Sequence, residues 1–458
     1  MEVLDDEVLL SNPSEGMRMK CLIIAAGNGS RLQQKGDSKP LVPMLGVPLI
    51  ERVIRSAMEG GADEFYVVTG HRGELVRVFL EGLAKRLVVR ITPLKNDDWE
   101  KGNGLSVLKG REVLAEPFLL LMSDHLFDAS LVSTLIRHSP LDGEVALGVD
   151  GDIHNSLVDM ADVTRVSAVD GRILDIGKGL TSFNGFDSGI FLCSSAIFEA
   201  LERSGQIDGD ATLSGAMRIL AEDGRARAIP VGGFWIDVDD PAAFKRAEKA
   251  LLDGLGDKPT DGPVSRYLNR PLSLLLSRHL VKLPVTPNHI SVFSFLCSLL
   301  AAGLFAFGGY LSLLLGGVLA QFASVVDGCD GEVARLKYQT SDFGGWLDAV
   351  LDRYADAFLL FGLTFHLLAA GANAWVLFIG FMAIIGSFML SYTADKYDSL
   401  MRKRIEAGGK GGLRMGRDAR VFLIFLGAVT NLVLPTLVVI AVVMNIATLR
   451  RIRAARVG

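Results

Sequence analysis

Four aspartates in the stretch 327–352, namely Asp327, Asp330, Asp348 and Asp352, have the residue type and spacing that chemistry would need. The flanks 310–326 and 358–369 are apolar enough to read as membrane-spanning, where each carboxylate costs roughly 2.5 to 3.5 kcal/mol on insertion scales. Four together therefore call for a compensating cation. Asp327 and Asp330 lie three apart, and Asp348 and Asp352 four apart, so each pair shares one helix face. In an antiparallel hairpin turning near Gln339, Asp327 comes level with Asp352 and Asp330 with Asp348, which makes one acidic pocket. Clustered hard oxygen ligands suit magnesium, manganese or calcium rather than zinc or copper. Gly331, Ala334, Gly344 and Gly345 are small enough to let a ligand or a second backbone come close. Arg335 adds the fork that a diphosphate accepts.

The pattern D-x2-D-G-x2-A-R-x8-G-x3-D-x3-D resembles the signature of the CDP-alcohol phosphatidyltransferases, over roughly 268–447 and with Thr286, Pro287 and Asn288 ahead of the first long helix. The resemblance implies that a hydroxyl attacks the β-phosphate of a CDP-alcohol and expels CMP. By position it places metal on Asp327, Asp330 and Asp348, makes Asp352 the general base beside the metal, and puts Gly331, Ala334, Arg335 and Gly344 around the nucleotide.

A second constellation lies in the first half. The apolar run 21–26 breaks into Gly27-Asn28-Gly29-Ser30-Arg31, as a buried strand hands over to a phosphate-holding loop. Lys39-Pro40-Leu41 follows, so Arg31 and Lys39 supply positive charge. Asp124 stands just past the apolar run 118–122, and Asp237 and Asp239 end the segment 235–239. Two carboxylates from distant segments would hold magnesium against a triphosphate. Together these motifs, over about 19–251, resemble the nucleoside-triphosphate transferases that activate sugar or alcohol phosphates. The resemblance implies that Ala26, Gly27, Gly29 and Arg31 hold the triphosphate and Lys39 its transferring end. Asp124 with Asp237 would hold the metal, with Asp239 the alternative to Asp237, and Lys178 would take the acceptor phosphate. Residues 102–106 would line the base or alcohol pocket.

The elements that must position these groups alternate. Strand-like runs at 64–69, 88–92, 118–122, 144–149, 190–193 and 226–231, separated by helical patterns such as 49–58, predict an α/β, Rossmann-like nucleotidyltransferase domain with a mixed, mostly parallel sheet. Ligands then collect at the carboxyl ends of the strands. Residues 1–18 read as a leader, 19–251 as this domain, 252–263 as a linker and 264–285 as an amphipathic juxtamembrane helix. Residues 286–458 read as an all-α membrane domain of six transmembrane helices, at 289–307, 310–335, 343–369, 372–392, 413–430 and 432–447.

Composition agrees with a soluble domain joined to a membrane domain. The chain has 458 residues, half of them hydrophobic, with net charge −5 and mean hydropathy +0.35. That charge gives no reason to expect nucleic-acid binding. Cys21, Cys193, Cys297 and Cys329 show no pairing pattern, so a reduced, cytoplasmic setting is the simpler reading. Lys and Arg fall on one side of the six spans, which places the N-terminal domain, the pocket and the C-terminus in the cytoplasm. Among the basic cluster Arg402, Lys403, Arg404, Lys410, Arg414, Arg417 and Arg420, the last two begin a span and are expected to bind an anionic acceptor. Asp356 extends the carboxylate face with no role assigned, and His366 reads as a packing residue.

Two sites on one chain make sense where the first makes the substrate of the second. The combination resembles bifunctional enzymes that join inositol-1-phosphate cytidylyltransferase to di-myo-inositol phosphate phosphate synthase. That resemblance implies CTP, an alcohol phosphate and a CDP-alcohol as partners, Mg2+ or Mn2+ at both sites, and a homodimer, if one forms, through the membrane domain. Rival readings are a phospholipid synthase with a regulatory N-terminal domain, and a channel or transporter with a nucleotide-sensing domain.

Overall fold

Strand β1 (Met19–Ala25) is buried on both faces, the mark of a strand in the middle of a sheet. The computed structural model describes residues 19–138, 143–207, 211–256, 262–400 and 416–457. The leader and most of the basic cluster, Arg402 to Arg414, lie outside them. The chain divides near Lys249 into two compact units.

In the first unit β1 pairs in parallel with β2 (Ala62–Thr69) on one side and β4 (Phe118–Met122) on the other, and β2 pairs in parallel with β3 (Arg90–Lys95). Beyond β4 the sheet changes character. Strand β9 (Gly185–Cys193) runs antiparallel to β4 and to β6 (Val145–Asp150), while β10 (Ala226–Val231) returns parallel to β6. A hairpin of β7 (Arg165–Val169) and β8 (Arg172–Gly177) completes the order β3-β2-β1-β4-β9-β6-β10-β8-β7, and a further β9–β7 pairing partly closes it. The sheet is therefore mixed, and its second half is more antiparallel than the alternation of patterns implies. The hairpin explains part of this: Asp170 and Gly171, both at positive φ, form a two-residue turn that only antiparallel strands can use. Strand β3 begins two residues later than expected because Val88 closes the preceding helix α2 (Gly73–Leu87) in a left-handed conformation.

A two-stranded ribbon, β5 (His125–Phe127) against β11 (Trp235–Asp237), stands apart from the sheet and sets Asp237 opposite His125. This ribbon brings two distant segments to the carboxyl end of β4.

The second unit is helical. A short π-helical turn (Ser265–Asn269) runs into α8 (Arg270–Leu280), followed by α9 (Pro287–Phe307), α10 (Tyr310–Leu336), α11 (Asp342–Ala369), α12 (Trp375–Leu400), α13 (Arg417–Val429) and α14 (Val433–Val457). Thr286 caps α9 through a reciprocal pair with His289, and Pro287 takes its first turn, where a missing N–H costs nothing. Helices α10 and α11 each pack along α9. Among the described residues four helices, α9, α10, α12 and α14, are long and apolar enough to cross a membrane. Two of the six expected spans do not reach that measure. Helix α13 has 13 residues, short of the roughly 20 a bilayer needs, and the stretch 342–356 of α11 carries Asp342, Asp348, Asp352, Arg353 and Asp356.

Helix α8 has two distinct faces, of which the inner is polar. Arg270, Ser273 and Ser277 turn inward, and all three donate to the fully buried Glu332 of α10, at 2.9, 2.6 and 2.7 Å. A buried carboxylate requires such partners. Leu272, Leu275, Arg278, His279 and Lys282 remain exposed, so only the outer face pairs leucine with positive charge.

Candidate active sites

Past β1 the chain turns through Gly27 and Gly29 into a 3-10 turn (Ser30–Lys35) capped by Gly29 at φ 58. A Cβ on Gly29 would overlap the stem of Lys39, so this glycine serves both the turn and the close approach of the lysine. Gly27 faces open space and lines a cavity of about 970 Å3, a size that suits a nucleotide-sized ligand. Ala26 is buried, its carbonyl accepting from the His71 amide at 2.9 Å. Neither Ala26 nor Gly29 lines the cavity.

The Lys39 side chain is 9% exposed and donates to Asp124 at 2.5 Å and to Asp239. Asp124, His125 and Asp237 each offer an atom within 4.8 Å of the others. His125 Nδ1 stands 3.0 Å from Asp124 and 3.7 Å from Asp237 Oδ1, which is buried without a hydrogen-bond partner among the described residues. The sequence reasoning found Asp124 and Asp237 but missed His125, although it sits in the triplet Ser123-Asp124-His125. Asp239, the alternative to Asp237, is the partner of Lys39 instead.

Burial opposes the Lys39 ammonium, yet Asp124, Asp239 and Asp237 outweigh it and raise its pKa well above the usual lysine range. Burial would raise the Asp124 carboxyl, but Lys39 and His125 hold it well below the usual carboxylate range. Burial likewise opposes the His125 imidazolium, and Asp237, Asp124 and Asp187 lift it to about 9. Burial pushes Asp237 up to about 7 and Asp187 up to about 6. The raised values of His125, Asp237 and Asp187 have the same consequence. His125 stays charged to about pH 9 when folded but only to about 6.5 when unfolded, so its stabilisation is complete below 6.5 and lost as pH rises to 9. The two raised carboxyls also disfavour the folded state as pH climbs from about 4 to 7. In a chelating buffer the first unit should melt several degrees lower at pH 9 than at pH 6, and His125→Gln should flatten the slope above 6.5; a melting temperature constant across that window would contradict the assignment.

Around the same cavity, Arg31 and Lys178 are both paired with Asp162, at 2.7 and 2.5 Å. Gly102, Asn103 and Ser106 line the cavity, with positioning work besides: the Asn103 side chain accepts from the Leu213 amide at 2.9 Å, and the Gly104 amide donates to the Ala211 carbonyl at 3.0 Å.

In the second unit Asp327, Asp348 and Asp352 offer oxygens within 4.8 Å of one another. Asp330 lies beside Asp348 but outside that group, accepting from Ser291 of α9 at 2.5 Å. Ser294 donates to Asp327 at 3.1 Å. Asp330 and Asp348 are thus neighbours as expected, and α9 adds partners to the carboxylates from a polar stripe of Asn288, Ser291, Ser294 and Ser298 that is visible in the sequence. Gly331 leaves room for the guanidinium of Arg335, whose Nη1 would stand 3.3 Å from a Cβ there. Gly344 takes the cap from Ser341 at 3.0 Å and lies against Asn288. Ala334 is buried.

Arg417 enters the carboxylate group itself, 2.5 Å from Asp327, 2.6 Å from Asp352 and 3.6 Å from Asp356. A pocket of about 210 Å3 beside it is lined by Arg417, Asp327, Asp352, Asn269, Ser273 and Ser324, among others. Gly331, Ala334, Arg335 and Gly344 do not line this pocket. Nor does Arg420, expected at the acceptor: it is 4% exposed and donates to Asp356 at 2.6 Å, and Asp356 also accepts from Ser387 at 2.9 Å. One helical turn separates Arg417 from Arg420, and the buried Asp356 draws the second away from the pocket. His366 packs as expected, its Nδ1 3.1 Å from the Phe305 carbonyl.

Residues 21–225 match the model of the MobA-like NTP transferase domain, and residues 284–453 that of the CDP-alcohol phosphatidyltransferases. The first unit thus has a nucleotidyltransferase fold, and the second is a helical CDP-alcohol phosphotransferase domain with four apolar helices among its described residues. Over 95% of its length the chain is 36% identical to the bifunctional IPC transferase and DIPP synthase of Rubrobacter xylanophilus, covering 96% of that protein. It is 32% identical over 93% of its length to the protein of the same description from Aquifex aeolicus, covering 95% of it. Among solved structures, the inositol-1-phosphate CTP transferase from T. maritima aligns with 51% of the chain and 96% of its own, at TM-score 0.46 and 24% identity.

Proposed function

The chain belongs to the family of the bifunctional IPC transferase and DIPP synthase proteins, and from that premise we propose how its two units divide the work. The first is a cytidylyltransferase that joins CTP to inositol 1-phosphate, forming CDP-inositol and releasing pyrophosphate. The second is a CDP-alcohol phosphotransferase that passes the phospho-inositol to a second inositol 1-phosphate and releases CMP. The observation that carries this reading is that each unit has its own group of three ligand residues within 4.8 Å, each with a basic side chain beside it, Lys39 in one and Arg417 in the other.

Both groups suit a hard divalent cation, magnesium or manganese: their donors are carboxylate oxygens with one imidazole, and Asp237 Oδ1 is buried without a hydrogen-bond partner among the described residues. Asp124, His125 and Asp237 would hold it in the first unit, and Asp327, Asp348 and Asp352, with Asp330 alongside, in the second. The ion supplies charge neutralisation for phosphate oxygens. In the first unit Lys39 and Arg31 orient the triphosphate and Lys178 receives the acceptor phosphate, so that attack on the α-phosphate needs positioning rather than a covalent nucleophile. In the second, Asp352 takes the proton of the attacking hydroxyl, and Arg417 is the acceptor-phosphate cation that now rests on Asp327 and Asp352. The exposed apolar residues of α9, α10, α12 and α14 support a membrane domain. We take α11 and α13 as the remaining two of six spans, with both ends and the basic residues on the cytoplasmic side.

Incubating the detergent-purified chain with CTP and inositol 1-phosphate, the label carried on the inositol phosphate, tests the reading. CDP-inositol, CMP and a water-soluble phosphodiester still carrying one phosphate should appear; label entering the organic phase only when lipid is supplied would favour a phospholipid synthase. Thorough EDTA treatment should stop both half-reactions, magnesium or manganese should restore them, and a zinc-selective chelator should leave both running.

A further inference from the structure

The first unit's cavity contains a carboxylate that cytidylyl transfer does not call for. Asp162 sits on the irregular segment 151–164 that follows β6, and its two oxygens face two different cations. Oδ2 accepts from Arg31 Nη1 at 2.7 Å and Oδ1 from Lys178 Nζ at 2.5 Å. The proposed function gives phosphates to both cations.

The segment is built to hold the carboxylate there. Asp152, Asn155 and Asp159 each accept from a backbone amide two residues on, at 3.0, 3.0 and 2.9 Å. Arg165 clamps its end, donating to the Leu180 carbonyl at 2.8 Å and the Met160 carbonyl at 3.2 Å, with its guanidinium 5.0 Å over the ring of Phe183. A carboxylate that bridges two cations with its two oxygens imitates two oxygens of a phosphate, but with a single negative charge. Hydrogen bonds from Lys178 and then Arg31 hold Asp162 at about 2, so it is ionised at neutral pH. The cations are 61% and 60% exposed, and ion pairs of that kind are weak. A dianion can displace them.

We propose that Asp162 is a specificity-determining residue of the first site: it occupies the anion positions at Arg31 and at Lys178, and yields the one at Lys178 only to an acceptor bearing a phosphate dianion. An unphosphorylated alcohol cannot compete for that cation and is excluded. This rests on the assignment of Arg31 and Lys178 to phosphates given above. It also reverses the sign expected of an ordinary counter-ion: if Asp162 merely oriented the two cations, removing it would weaken phosphate binding.

The test uses the full chain in detergent with inorganic phosphate as the probe, reading by calorimetry the part of the binding that Lys178→Gln abolishes. Asp162→Asn should tighten that binding about three- to tenfold and lower the KM for inositol 1-phosphate by a similar factor. Asp162→Ser should behave alike, which guards against a local effect of the amide. Phosphate binding that is unchanged or weaker in both variants would overturn the proposal. If the wild-type chain makes no CDP-alcohol from any alcohol phosphate, the proposed function fails, while the phosphate measurement still decides the role of Asp162.

Discussion

Asp352→Asn is expected to lower phospho-alcohol transfer by roughly 10²- to 10⁴-fold, the range a positioned general base contributes, while CDP-alcohol formation from CTP continues. Asn keeps the shape of the side chain but can no longer take a proton. The same change removes one of the two carboxylates within 2.6 Å of Arg417, leaving Asp327 as its close partner. Supplying CDP-inositol and inositol 1-phosphate and following CMP release isolates this half. The variant to compare is Asp356→Asn, which acts on packing: Asp356 is buried against Arg420, and breaking a buried pair costs roughly 3 to 5 kcal/mol. It should lower stability in detergent at least as much as activity. If Asp352→Asn transferred within tenfold of the wild-type rate, the general base would have to be sought elsewhere.

Much of this arrangement was legible because it depends on local spacing. Three and four residues on a helix fix which carboxylates share a face, and an apolar run broken by glycines fixes where a strand gives way to a loop. The strands Phe118–Met122 and Ala226–Val231 fell at their expected limits for the same reason. The Asp170-Gly171 turn was equally local and would have shown that the sheet turns antiparallel. What could not be read are choices made by tertiary contact. Nothing in the spacing of Arg417 and Arg420 says that one enters the carboxylate group and the other is drawn off by Asp356. Nothing about Asp162 distinguishes it from a solvated loop residue until the fold sets it between Arg31 and Lys178. The serines of α9 lie between these extremes: their stripe is visible in the sequence, but only the packing of α10 against α9 assigns them to Asp327 and Asp330.

Asp124→Ala should produce the complementary loss, abolishing CDP-alcohol formation while transfer from supplied CDP-alcohol persists. Asp124 touches both parts of the first cluster, accepting from Lys39 at 2.5 Å and lying 3.0 Å from His125 Nδ1. Its removal takes away a carboxylate of the proposed metal group and one of the two partners of Lys39. Among the described residues the ammonium then keeps Asp239 as its hydrogen-bond partner and is free to shift toward it, away from the end of the triphosphate it is proposed to hold. Removing a single preorganised charge-stabilising group costs roughly 10² to 10³ in rate, and losing the bound cation as well adds several kcal/mol, so formation should fall by at least 10³. Lys39→Met separates the two contributions: it should retain metal binding, read by manganese-dependent paramagnetic broadening, yet lose about 10²-fold in rate. If Asp124→Ala stopped both half-reactions in a folded, detergent-stable chain, the division of labour between two independent sites would be wrong.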